Sequence, residues 1–304
     1  MSLDIFHGVP VTCFTSHRLI QKELNLPERA IGIFDSGVGG LTVLKEMMRL
    51  LPGEELIYLG DTARVPYGTK SPRTVLRYAL EAAAFLSERR VKMLVVACNT
   101  ASSVALPALS EHFNLPVIGV IEPGARKAVA VTRCRKVGVI GTEGTIKSGA
   151  YPRAIHALDP DIEVFSAPCP LFVPLAEEGW AEHRIAHLAA EEYLAPLLQR
   201  GIDTLVLGCT HYPLLKNTLR NVMGDGVELV DSAEETALMV AGPLREGDLF
   251  RRSQPAWPRF FVTDVPTRFE RVGGSFLGSP LHGVESVDLD GVAVPAIHAG
   301  FSLR

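Results

Sequence analysis

The chain has 304 residues, 47% of them hydrophobic and 21% charged, with a formal net charge of −4. That is enough apolar material for two modest cores, and the charge balance gives no bulk attraction to nucleic acid or to an anionic membrane. No apolar run nears the ~18 residues of a membrane span, and MSLDIFHGVPVTCFTSHRL lacks the basic and apolar regions of a signal peptide.

Residues 1–29 show no period and are expected to form an N-terminal extension. AIGIF (30–34) then reads as a strand, GGLTVLKEMMRLL as a helix, and ELIYL (55–59) as a second strand. Ser71-Pro72 reads as an N-cap followed by a first-turn proline, opening a helix through SERR. MLVVA (93–97) and PVIGVI (116–121) complete a first set of strands. KVGVI (136–140), IEVFS (162–166), TLVLG (204–208) and VELVD (227–231) form a second set, with helical segments between them. Residues 236–250 read as a further helix and WPRFFVTDV as a further strand, while 265–304, rich in Gly and Pro, is expected to be irregular. The alternation predicts an α/β fold, with a parallel or mixed sheet covered by helices on both faces.

The chain also resembles itself. RVKMLVVACNTA lies over GIDTLVLGCTHY at an offset of 111, which superposes Cys98 on Cys209 and Thr100 on His211. AIGIFDSGVGG lies over KVGVIGTEGTI at an offset of 106. Two similar halves, about 30–125 and 130–235, are expected to face each other.

The five cysteines are odd in number, widely spaced and without a C-x-x-C pair, so free thiols in a cytoplasmic protein are expected rather than disulfides or a structural zinc site. A lone cysteine at a strand end is more often a small core residue than a base. Two at equivalent strand ends of opposed halves would face each other across a cleft. That arrangement suits removal of a proton from one face of a carbon and its return to the other. His211 could orient Cys209 or exchange protons with it, and Asp35 could assist Cys98 likewise. Ser36 and the backbone of Gly37 to Gly40 open a helix that could hold a carboxylate, while Asn99, Thr100 and Thr210 offer neutral hydrogen bonds. His183, His187 and Glu191 have metal-ligand spacing but read as a solvated helix face. Cys13, Cys134 and Cys169 read as structural.

DSGVGG (35–40), GDTARVPYG (60–68), ACNTAS (97–102), TEGTIKSGAY (142–151), PLAEEG (174–179) and GCTHYP (208–213), in this order, make the chain resemble the bacterial glutamate racemases. The resemblance runs from about Ile31 to about Leu289. It implies two similar three-layer α/β domains related by a pseudo-twofold, with the active site in the cleft between them. The first, 30–125, would be completed by 234–290, the second would be 126–233, and 291–304 would be a tail. It also implies a cofactor-independent, metal-free homodimer that acts on glutamate and supplies D-glutamate for peptidoglycan. Carried over by motif, Cys98 and Cys209 are the acid/base pair, with Asp35, His211 and Glu177 as auxiliaries. Cys98 would deprotonate the D-enantiomer and Cys209 the L-enantiomer. Asp35, Ser36, Pro66, Tyr67, Gly68, Asn99, Thr100, Thr145, Thr210 and His211 would contact substrate.

Rival readings are a racemase of aspartate or of a hydantoin, a nucleotide-binding oxidoreductase and a two-lobed binding protein. GVGGLT follows a strand as a dinucleotide fingerprint does, but Thr42 stands where the third glycine belongs, and Asp35 would face the pyrophosphate. No G-x-x-x-x-G-K motif supports an NTPase, and no lysine has the setting of a pyridoxal phosphate site.

Overall fold

The computed structural model describes residues 26–255 and 257–292. Most of the expected extension, with Cys13, and nearly all of the tail lie outside them.

The first lobe runs β1 (Ile31–Asp35), α1 (Leu41–Leu50), β2 (Leu56–Gly60), α2 (Pro72–Glu88), β3 (Met93–Val96), α3 (Asn99–His112) and β4 (Val117–Gly119). α4 (Ile121–Val131) leads to β5 (Lys136–Gly141), α5 (Glu143–Ser148), α6 (Ala150–Leu158) and β6 (Glu163–Pro168). The second lobe continues through α7 (Phe172–Glu177), α8 (Arg184–Leu198), β7 (Thr204–Gly208), α9 (Lys216–Met223) and β8 (Glu228–Asp231). The chain returns through α10 (Ser232–Glu246), β9 (Arg259–Val262), α11 (Pro266–Leu277) and β10 (Val284–Ser286).

One sheet has the order β10-β9-β2-β1-β3-β4, the other β6-β5-β7-β8. Every strand pair is parallel. The block β2-β1-β3-β4 repeats as β6-β5-β7-β8, so the faint self-similarity of the sequence corresponds to a repeated topology. β1, β2, β3 and β7 are buried along their whole length, as parallel strands covered on both faces must be. Their side chains are accordingly apolar runs rather than alternating patterns.

α4, which contains the boundary expected at 125/126, packs against α6, β7 and β8 of the second lobe. α10 lies against both α1 and α4. Its buried Ala237, Val240 and Leu244 belong to an apolar cluster that also contains Leu41, Leu44 and Met47 of α1.

Of the residues expected to be irregular, 265–292 are described, and they depart from expectation by forming α11 and β10. Gly273 and Gly274 look like helix breakers in the sequence. A Cβ on Gly273 would lie 2.8 Å from Leu41 Cδ1, so glycine there permits close packing of α11 on α1. Phe269, Val272, Phe276 and Leu277 form the buried stripe at helical spacing. The four described cysteines are free. Cys134, expected to be structural, is exposed in a turn whose amides, its own included, donate to Asp203.

Candidate active site

In parallel sheets, ligands collect beyond the carboxyl ends of the strands, where loops and helix N-termini converge. Both sheets send such ends into one cleft. Cys98 follows β3 and is the N-cap of α3; Cys209 follows β7. They are 5% and 6% exposed and line a single space of about 430 Å³. Ser36, Pro66, Tyr67 and Gly68 wall it from the first lobe, with Asn99 and Thr100 from α3. Glu177, Thr210 and His211 wall it from the second. Val65, Thr142 and Val173 also line it, although sequence reasoning gave them no role.

The surroundings of the two thiols differ. Cys98 Sγ donates to Ser36 Oγ at 3.6 Å. Burial, reinforced by the Asp35 carboxyl, pushes this thiol up to about 12. Asp35, expected to assist Cys98 directly, has its oxygens elsewhere: Oδ2 accepts from Gly37 N at 2.8 Å and Oδ1 from Thr210 Oγ1 at 3.4 Å. It acts on Cys98 through its field, and burial raises its own pKa.

On the other side, His211 Nδ1 is 3.8 Å from Cys209 Sγ, and its Nε2 is 3.1 Å from Glu177 Oε1. Burial works against the charged ring, but the hydrogen bonds to Cys209 and Glu177 outweigh it and hold His211 at about 10. The bond to His211 in turn lowers Glu177. The result is a chain of sulfur, imidazolium and carboxylate. Linkage fixes the sign of its pH dependence. A histidine raised from 6.5 to about 10 stabilises the fold fully below 6.5, and that contribution is lost as pH rises through 10. Melting temperature should therefore fall more steeply between pH 7 and 10 in the wild type than in His211→Asn. Parallel curves would exclude a charged His211.

Neutral donors complete the cleft. Tyr151 OH donates to Asn99 Oδ1 at 2.7 Å, which turns Asn99 Nδ2 the other way. That amide nitrogen is buried and has no protein partner among the described residues, so it is free to donate to a ligand. The Thr100 hydroxyl is 2.9 Å from Thr142 Oγ1 and 3.2 Å from Thr145 Oγ1. Thr145 does not line the cleft; it supports Thr100 from behind. The Tyr67 hydroxyl donates away from the cleft to Asp61, which Arg64 Nε and Thr263 Oγ1 also hold, at 2.7 and 2.9 Å. Among the described residues, no Lys or Arg lines the cleft. An anionic ligand would meet hydroxyls, the Asn99 amide, imidazolium and the N-terminus of α3. His183 caps α8 and His187 pairs with Glu191 on an exposed face, as expected. The described residues contain no cluster of three metal-ligating side chains.

Residues 31–240 match the Asp/Glu/hydantoin racemase family. The chain belongs to this family.

Among racemases similar to it, the glutamate racemase of Geobacter metallireducens is 61% identical over 87% of this chain and 98% of its own. That of Syntrophus aciditrophicus is 52% identical over 87% and 99%. Among solved structures, the Francisella tularensis glutamate racemase in complex with D-glutamate is 42% identical. It covers 87% of this chain and 99% of its own, with a TM-score of 0.82. A Bacillus anthracis glutamate racemase isoform superposes with a TM-score of 0.83 at 42% identity, over 86% and 98%. The racemase-family match ends at residue 240, so β9, α11 and β10 lie beyond it. Thr263 and Arg268 nevertheless reach the site from there: Thr263 through Asp61, and Arg268 Nη2 through Glu177 Oε2 at 3.1 Å.

Proposed function

We propose that the protein interconverts L- and D-glutamate by moving protons at Cα between Cys98 and Cys209, with no added cofactor. It does so in the cytoplasm, as a homodimer, and the D-glutamate goes to peptidoglycan. One observation carries the reading: two buried thiols end equivalent strands of a repeated topology and line the same cleft. The named relatives, and the D-glutamate in the Francisella structure, support glutamate as the substrate.

In the direction from L-glutamate, the Cys209 thiolate takes the α-proton. His211 beside the sulfur supplies the cationic partner that a thiolate base requires. Cys98, held as the neutral thiol by burial, donates its proton to the opposite face. From D-glutamate the roles exchange. Negative charge developing between α-carbon and carboxylate needs fixed donors, because an amino-acid α-proton is very weakly acidic. Asn99 Nδ2 and the first turn of α3 are preorganised for that task.

A coupled assay for D-glutamate formed from L-glutamate is the direct test, with aspartate as the competing substrate. Formation of D-glutamate without added metal or pyridoxal phosphate is expected, with little turnover of aspartate. Iodoacetamide should inactivate the enzyme, and glutamate should slow that inactivation. Full activity after stoichiometric labelling of Cys98 and Cys209 would sink the reading.

A further inference from the structure

Both oxygens of Glu177 are occupied. Oε1 meets His211 Nε2 at 3.1 Å, and Oε2 meets Arg268 Nη2 at 3.1 Å. The two partners come from different lobes. Glu177 ends α7 of the second lobe, whereas Arg268 is in the first turn of α11, which packs on α1 of the first. The turn ahead of α11 is stitched to the substrate-side loop. Thr62 Oγ1 donates to Asp264 O at 2.6 Å, Asp264 N donates to Thr62 Oγ1 at 2.8 Å, and Ala63 N donates to Thr263 Oγ1 at 2.8 Å. Val265 there takes φ 42°, a costly left-handed conformation for a β-branched residue, held in place by these bonds. Phe269, next to Arg268, packs against Tyr58 with ring centroids 5.9 Å apart. Arg268 therefore stands on a fixed base, although its side chain is 55% exposed.

We propose that Arg268 is a positioning residue for the Cys209 half of the reaction, holding one oxygen of Glu177 so that the other stays on His211. A carboxylate gripped at one oxygen turns about its terminal torsion; gripped at both it does not. Few charged groups face this relay from Cys209 to Arg268. Glu177 faces His211 and Arg268, His211 faces Cys209 and Asp35, and Asp264 stands at the rim beside Arg268.

The proposal rests on the two-thiol reading, so its test is read without turnover. Iodoacetamide labelling of Cys98 and Cys209 is followed by peptide mass spectrometry in the full chain, without substrate. Arg268→Ala should slow labelling of Cys209 by about fivefold, the scale of a half-exposed ion pair. Labelling of Cys98 should not change, and Arg268→Lys should restore part of the Cys209 rate. Glu177→Gln should slow Cys209 as well, and adding Arg268→Ala to Glu177→Gln should change nothing further. An unchanged Cys209 rate in Arg268→Ala, or additive effects in the double variant, would overturn the proposal. So would faster labelling of both thiols, which would make Arg268 a latch between lobes. Arg268→Gln, with melting temperature recorded, is the alternative should Arg268→Ala fold poorly. Absence of glutamate turnover in the wild type would defeat the proposed function and leave the labelling result readable.

Discussion

Cys209→Ala is expected to lower racemisation about 10³-fold in both directions, and Cys98→Ala by the same order, because each removes the acid/base for one face. The fold should survive both changes, since each side chain is a small residue in the cleft wall. Heavy water separates this mechanism from one that uses a single base. The proton taken from L-glutamate stays on the Cys209 side, while the proton delivered from Cys98 has exchanged with solvent. The earliest D-glutamate should carry deuterium at Cα, and the remaining L-glutamate should gain little. The experiment from D-glutamate should mirror it. Protium retained in the first product, or racemisation surviving the loss of either cysteine, would exclude the opposed pair.

Gly39→Ala is expected to cost about 10²-fold in turnover, although it replaces no titratable group. A Cβ at Gly39 would lie 2.6 Å from His211 Cε1, and closer still to His211 Nδ1 and Thr210 Oγ1. These atoms cannot step aside easily. His211 is held by Glu177, and Thr42 Oγ1 ties Gly39 O to Thr210 O at 3.0 and 3.2 Å. The loop after β7 would have to lift off the start of α1, carrying the imidazole away from its place beside Cys209. A shift near 1 Å is enough for a loss of this size. The overpacking should also destabilise the fold by about 1–3 kcal/mol, visible as a lower melting temperature. Gly53→Ala, where nothing lies within 4 Å of the added Cβ, is the control and should behave as wild type.

The sequence exposed the two thiols because an apolar strand that ends on polar residues leaves a mark in one dimension. That mark occurs twice, in MLVVAC and in TLVLGC, and the common strand order repeats it in three dimensions. Side-chain direction leaves no such mark. Asp35 ends the first strand as Cys98 ends the third, which in the sequence suggests direct assistance. The carboxylate instead turns to Gly37 N and across the cleft to Thr210, and the Ser36 hydroxyl meets the thiol. Partners far apart in the chain were also invisible. Nothing near Asn99 announces Tyr151, and nothing in PLAEEG announces Arg268. The C-terminal segment differs from its sequence expectation for a local reason. Its glycines signal a loop by propensity, while in the fold one of them is a point of close helix approach.

The strand order of the larger sheet bears on how the protein is made. β2 lies between β1 and β9, and β9 is synthesised only after the whole second lobe. The strands β5 to β8 are contiguous in the chain and need no later segment to complete their sheet. On the ribosome, that sheet is therefore expected to close first. Until Arg259–Val262 emerges, Leu56–Gly60 presents an unpaired edge of buried-type residues, a ready template for another chain. A chain stopped near residue 240 would keep both cysteines and the family-matched segment, yet carry that open edge permanently, and is expected to aggregate rather than accumulate as a soluble enzyme.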